Sequence, residues 1–332
     1  MNILLTGGTG YIGSHTAVVL IEAGHKVLLF DNLSNSQKDV VSRIKRITGK
    51  AILFVEGDVR DTSLLSKTIK DYQADAVIHF AGFKAVGESV EKPIVYFDNN
   101  VGGTISLLKA MRQNQVKTLV FSSSATVYGE PQYLPIDESH PTNPTNPYGR
   151  TKLHIEEMLQ DVVATDSAFG VVCLRYFNPV GAHESGLIGE SPNGTPNNLM
   201  PFVSQVAAGK RAKVNVFGND YPTIDGTGVR DYIHVVDLAS GHLAAINFLA
   251  STQGWHAINL GTGYGSSVLE MIGQFTSSNN RSIPYEVVDR RPGDVASCYA
   301  SVVKAEKLLK WKTAHDLKSM CSSAWKWEES LK

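Results

Sequence analysis

Tyr148 and Lys152 stand four residues apart in the segment Asn146-Pro147-Tyr148-Gly149-Arg150-Thr151-Lys152. A helix starting behind Asn-Pro puts the phenol and the amine on one face, a turn apart. That spacing suits a phenolic base. A free tyrosine titrates near pH ~10, and a neighbouring ammonium favours its phenolate. Ser122-Ser123-Ser124 closes an apolar run, and a serine at a strand end can hydrogen-bond the same reacting oxygen and share the moving proton. Tyr-x-x-x-Lys alone is a common surface pair. Its weight depends on what else the chain carries.

The chain also carries a glycine loop, Gly7-Gly8-Thr9-Gly10-Tyr11-Ile12-Gly13, directly after a first apolar run and at the head of a helical pattern. Such a turn needs residues without a Cβ. The backbone then approaches a pyrophosphate closely, and the phosphates sit at the positive end of the helix. Asp31 ends the second run, 18 residues after Gly13. A carboxylate there accepts both ribose hydroxyls and repels a 2′-phosphate, so NAD is expected over NADP. Asp58 and Val59 follow the third run, where an adenine edge would lie. Phe80, Ala81, Gly82 and Lys84 follow the fourth, where small residues admit a cofactor and Lys84 reaches its phosphates. A cationic nicotinamide would favour the Tyr148 phenolate further.

These positions require a scaffold of alternating strands and helices. Apolar runs at Ile3–Thr6, Lys26–Phe30, Ala51–Val55, Ala76–Phe80, Thr118–Ser122 and Val171–Tyr176 are apolar at successive positions, which predicts strands covered on both faces. Between them, Tyr11–Ala23, Leu64–Asp71, Pro93–Gln113 and Tyr148–Val163 have helical spacing. The expectation is an α/β fold: a doubly wound parallel Rossmann sheet followed by a smaller mixed α/β domain. The boundary is placed at 177/178, with the chain crossing back to the first domain around 230–255. Residues 178–201 are rich in Gly, Pro, Asn and Ser and are expected to be loop. Trp311, Trp325 and Trp327 are expected to fill core.

Composition narrows the function classes. The 332 residues are 42% hydrophobic and 19% charged, enough for a sizeable core. Lys+Arg 31 against Asp+Glu 32 gives a net charge of −1, without the basic excess a nucleic-acid or membrane-surface protein uses. Cys173, Cys298 and Cys321 lie far apart, which reads as a reduced, cytoplasmic chain. The glycine-rich start does not look like a signal peptide, and the uncharged stretch 238–269 is too broken by Gly, His and Asn for a membrane span. Ten scattered histidines offer no metal-binding spacing, so no metal is expected.

The combined motifs resemble the extended short-chain dehydrogenase/reductase superfamily and, within it, the UDP-galactose 4-epimerase family. The matching blocks span Gly7–His15, Phe80–Val90, Phe121–Gly129, Leu174–His183, Pro196–Pro201 and Phe217–His234. The resemblance implies a resident NAD, inversion of the sugar C4 through a transient 4-keto sugar, and Tyr148, Ser124 and Lys152 as the catalytic group. It also places Tyr11, Ile12, Asn32, Asn35, Ser36, Asn99 and Phe177 around the cofactor. For a UDP-hexose substrate it implies Arg230 and Arg291 at the diphosphate and Asp294 toward the uridine ribose. Asn178, Asn198, Leu199, Asn215, Val216 and Phe217 are the other implied contacts. Cys298, at a position where some members of the family carry tyrosine, leaves room beside the sugar C2 substituent and implies turnover of N-acetylated UDP-hexosamines. A homodimer through the helices Pro93–Gln113 and Tyr148–Val163 is implied as well. A sugar-nucleotide 4,6-dehydratase is the rival reading. That family adds an Asp-Glu pair beside the serine, where this chain has Ala125-Thr126. An NAD-sensing protein without activity would have had no need to keep Ser124, Tyr148 and Lys152 together.

Overall fold

The strand–helix alternation carries through the first half of a computed structural model that describes every residue except Pro192, Asn193, Thr195, Asn197, Pro292 and Lys332. Pro292 of the Arg290–Asp294 segment and four residues of the expected loop 178–201 thus lie outside the described residues. The first half runs β1 (Asn2–Thr6), α1 (Tyr11–Glu22), β2 (Lys26–Asp31), α2 (Val40–Thr48), β3 (Leu53–Glu56), α3 (Thr62–Tyr72), β4 (Ala76–His79), α4 (Val86–Glu91), α5 (Pro93–Tyr96), a π-helical turn (Phe97–Gly102), α6 (Gly103–Gln113), β5 (Thr118–Ser124), α7 (Pro147–Thr165) and β6 (Gly170–Tyr176). The rest is β7 (Asn178–Val180), α8 (Leu199–Ala207), β8 (Val214–Phe217), β9 (Val229–Arg230), β10 (Tyr232–His234), α9 (Val235–Leu249), β11 (Gly254–Leu260), β12 (Ser266–Ser267), α10 (Val268–Asn279), β13 (Tyr285–Val288), β14 (Ser297–Cys298), α11 (Val303–Leu309) and α12 (Leu317–Ser330).

Seven parallel strands form the central sheet in the order β11-β6-β5-β4-β1-β2-β3. Its doubly wound form is the one expected. Period-two geometry sorts the apolar runs onto two faces. Ile3, Leu5, Leu29, Ile78 and Leu174 pack with α1 and α9, while Leu4, Phe30, Val77, Leu119 and Phe121 pack with α3, α6 and α7. The late elements α9 and β11 therefore complete the first sheet. A second core joins α8, α10 and α12 to β8 and β13 through Met200, Val203, Val216, Phe275 and Trp325. Trp311, Trp325 and Trp327 are buried, as expected. No helix among the described residues is long and apolar enough to cross a membrane.

Two expectations need adjustment. The helix expected over 93–113 is interrupted by the π-helical turn, where Asn99 and Asn100 are both buried. The Asn100 amide there accepts from Phe83 N at 2.8 Å and donates to Phe83 O and Thr151 Oγ1 at 3.1 Å each, bracing the loop after β4 against α7. The run expected at 51–55 begins later, at Leu53, because β3 is the sheet edge and its first residues gain no second partner.

One buried ion pair fixes α7 to the sheet. Arg175 on β6 forks onto Glu156 of α7, with Nη2 to Oε2 at 2.6 Å and Nε to Oε1 at 3.1 Å, and the side chains are only 5% and 2% exposed. Ser123 donates to the same carboxylate. Arg175 Nη1 reaches Tyr128 Oη at 3.0 Å, and that hydroxyl donates to Asn259 Oδ1 at 2.6 Å. Removing one member strands the other in a dry core. Glu156→Ala is therefore expected to lower the unfolding free energy by about 3–5 kcal/mol in denaturant titrations. A loss of a few tenths would show that the pair is not integral to the fold.

Candidate active site

The strand order reverses at β1, between β2 and β4, and a crevice opens at the carboxyl ends of β1 and β4. Gly7 follows β1 with φ +69°, and a Cβ there would lie 2.6 Å from Ala81 N, in the loop after β4. A Cβ on Gly13 would lie 2.4 Å from Gly7 O. Both loops thus meet across a gap that glycine alone leaves open. Gly10 caps α1 without a side-chain hydrogen bond, so the first N–H groups of the helix face outward for an anion. Asp31 is buried at the end of β2 and accepts from Thr9 N at 3.1 Å, Leu33 N at 2.9 Å and Ser36 Oγ at 3.2 Å. Among the described residues no cationic side chain pairs with it, which suits hydroxyl donors of a ribose. The donor set and the cradle fit a dinucleotide.

The candidate catalytic group sits beside this crevice. Asn146 caps α7 by accepting from Gly149 N at 2.9 Å, and Pro147 opens the first turn, which fixes Tyr148 near the positive end. Tyr148 N donates to Ser89 Oγ at 3.2 Å. One turn on, Lys152 Nζ donates to Ser122 O at 2.6 Å and lies 4.8 Å above the Phe121 ring and 5.8 Å from the centre of the Tyr148 ring. Ser124, at the end of β5, accepts from Thr126 N and Oγ1 at 3.2 and 3.0 Å. Burial pushes the Tyr148 phenol up to about 12, and its hydrogen bond with Ser124 opposes that. Burial also draws the Lys152 ammonium down to about 8, against the nearby Glu156 charge. In the chain alone, then, burial outweighs that hydrogen bond and Tyr148 is a neutral phenol at pH 7.

The other candidate residues fall into two groups. On the first side, Tyr11 Oη donates to Gly181 O at 2.6 Å, and Ile12 packs on the α1–α9 core. Asn32 donates to Asp58 at 3.2 Å, and Asp58 is held low, to about 2, chiefly by hydrogen bonds from Arg60. Asn35 is exposed, Ser36 meets Thr9 Oγ1 at 2.7 Å, and Val59 is buried. The Phe80 ring lies tilted against His242, 4.8 Å between centroids, exposed Gly82 follows Ala81, and Asn99 donates to Asn100 at 3.0 Å. On the second side, buried Phe177 leads into Asn178, whose N–H donates to Asp231 O at 2.9 Å. Arg291 Nη2 meets Asp294 Oδ1 at 2.9 Å, Arg230 Nη2 lies 3.9 Å from the same oxygen, and Arg291 lies 5.4 Å from the centre of the Phe217 ring. Two guanidinium groups around one carboxylate make a pair fit for a diphosphate. Asn215 is exposed on β8, the Val216 side chain points into the second core, and Asn198 precedes Leu199 at the start of α8. Cys298 packs with Val127, Tyr128 and Phe177, at the end of β5 beyond Ser124.

Comparison with known proteins agrees with this geometry. The family model described as GDP-mannose 4,6 dehydratase matches residues 4–324. The UDP-glucose 4-epimerase of Bacillus subtilis is 53% identical over 330 residues, covering 99% of this chain and 97% of that protein. A crystal structure of the UDP-glucose-4-epimerase from Stenotrophomonas maltophila with bound NAD and formylated UDP-arabinopyranose superposes with a TM-score of 0.98 at 51% identity, covering 100% of this chain and 98% of that one. The chain belongs to the UDP-glucose 4-epimerase family. The Bifidobacterium longum UDP-glucose 4-epimerase, solved in complex with NAD+ and UDP, superposes with a TM-score of 0.96 at 51% identity, covering 99% and 98% of the two chains.

Three residues of this UDP-glucose 4-epimerase family member escape sequence reading. Glu156 continues the Tyr148–Lys152 face at a further four residues, a spacing that was visible in the sequence. Asn100 neighbours a residue already singled out. Glu190, paired with Lys84 at 3.0 Å, carries no local signal. The lowered Lys152 has a consequence for stability. Unfolded, its amine titrates near ~10.4, so between about 8 and that value the unfolded chain binds more protons and stability rises with pH. The unfolding free energy of the native chain relative to Lys152→Met is expected to increase from pH 7 to 10, by at most about 1.4 kcal/mol per pH unit. A difference that stays flat would mean that the ammonium is not desolvated.

Proposed function

We propose that the chain is an NAD-dependent UDP-glucose 4-epimerase, inverting C4 of UDP-galactose and UDP-glucose through a transient 4-keto sugar. The single observation that carries this is the Ser124–Tyr148–Lys152 group beside a dinucleotide cradle, in a chain 53% identical to an epimerase over nearly its whole length. Gly7, Gly10 and Gly13 would cradle the NAD pyrophosphate, and Asp31 would accept its ribose hydroxyls. When bound, NAD supplies reversible oxidation at C4. Tyr148 takes and returns the proton on the C4 oxygen, Ser124 hydrogen-bonds that oxygen, and Lys152 adds positive charge on the phenol's side of the cleft. Arg230 and Arg291 would hold the diphosphate while the keto sugar turns and offers its other face. In this reading residues 1–177 with 235–260 form the NAD-binding part, and the rest binds the UDP-sugar.

Further features belong to the same reading. Val86, Val90, Ile94, Val95 and Ile105 are exposed on α4, α5 and α6, Ile94 by 82%, which supports a second copy covering that face. Three free cysteines suit a reducing, cytoplasmic setting. The 4,6-dehydratase reading asks for an acid and a base beside Ser124, and Ala125 and Thr126 provide neither.

Purified protein given UDP-galactose and no added NAD is expected to yield UDP-glucose. A 4-keto-6-deoxy product, or none, would overturn the reading. Cys298 is partly buried and small, which supports acceptance of UDP-N-acetylhexosamines as well. Cys298→Tyr is expected to abolish their turnover and spare UDP-galactose. A native enzyme that never accepts the N-acetylated sugars would end that part of the proposal.

A further inference from the structure

Glu190 touches both halves of the site through one oxygen. Its Oε1 accepts from Lys84 Nζ at 3.0 Å and from Asn198 Nδ2 at 2.9 Å. Lys84 follows β4 on the side of the dinucleotide cradle. Asn198 stands just ahead of α8, on the side of the UDP-sugar candidates, and makes no side-chain hydrogen bond to that helix. The Glu190 side chain is 11% exposed, and its backbone carbonyl is held by Trp327 Nε1 of α12 at 3.0 Å. The segment leading to it begins at Gly181, whose carbonyl is taken by Tyr11 of α1 at 2.6 Å. A carboxylate placed among groups that must meet two diphosphates repels both unless its own donors stay with it. Lys84 has three N–H donors and gives one to Glu190, which leaves two for a phosphate.

We propose that Glu190 is a positioning residue that couples the two ligand sites, so that occupation of the UDP site tightens retention of NAD and the reverse. The inference rests on the NAD and UDP-sugar reading above. A ligand that orders Asn198 orders Glu190, and through it Lys84. Such coupling is reciprocal by linkage.

The test measures NAD dissociation from the purified protein with and without saturating UDP, in the native chain, Glu190→Ala and Glu190→Gln. UDP is expected to tighten NAD on the order of tenfold in the native chain and less than about twofold in Glu190→Ala. Glu190→Gln keeps an acceptor for Asn198 but loses the ion pair, and is expected to fall between. With NAD saturating, both variants should raise KM for UDP-galactose while kcat holds. If Glu190→Ala weakens both ligands or lowers Tm yet keeps the native UDP effect, the role is structural and the proposal is wrong. A native chain that binds each ligand with no mutual effect overturns it equally. Failure of the native chain to bind NAD or UDP at all would instead overturn the reading beneath it.

Discussion

One helix face carries the constraint on which the rest depends. Tyr148, Lys152 and Glu156 recur at four-residue intervals along α7 and are pressed against the carboxyl ends of β5 and β6. An ammonium and a carboxylate buried on one face destabilise the fold unless each is answered. The Ser122 carbonyl answers Lys152, and the Arg175 fork answers Glu156. This accounts for an arginine in the otherwise apolar run of β6 and for Ser123 near the end of β5, whose hydroxyl also donates to Glu156. The Asn146 cap and Pro147 set the first turn, so the phenol's position follows from where the helix is allowed to begin.

The same burial sets the chemistry. It raises the phenol and lowers the amine, so the chain's own groups hold Tyr148 in its protonated form near neutrality. Proton transfer at pH 7 therefore calls for positive charge beyond Lys152, of the kind an oxidised nicotinamide brings. A bound NAD and Tyr148 acting as base would then be one requirement, met where the glycine loop and the Phe80–Gly82 segment close on each other. The second half adds two guanidinium groups around Asp294, and the halves are joined by Tyr11 to Gly181 and by Glu190 to Lys84 and Asn198.

Much of this was legible in residue order. Contiguous apolar runs disclosed a sheet covered on both faces, and glycine spacing with Asp31 pointed to the candidate cofactor cradle at the ends of β1 and β2. The π-helical turn at Phe97–Gly102 was not legible, because over one turn its side-chain pattern matches that of an α-helix. Glu190 was not legible because Lys84 lies 106 residues away and only the fold brings them together. The direction of the Tyr148 shift was not legible either. Spacing placed an ammonium beside the phenol, but the depth of burial, which dominates, is a property of packing.

The most direct measurement of the central claim is steady-state turnover of UDP-galactose by Tyr148→Phe, with bound NAD quantified in the same preparation. Loss of only the hydroxyl leaves the packing of the ring and the cofactor cradle in place. Turnover is expected to fall by about 10²–10⁴-fold with NAD content unchanged. Interconversion at the native rate would contradict the assignment of Tyr148 as the group that moves the proton.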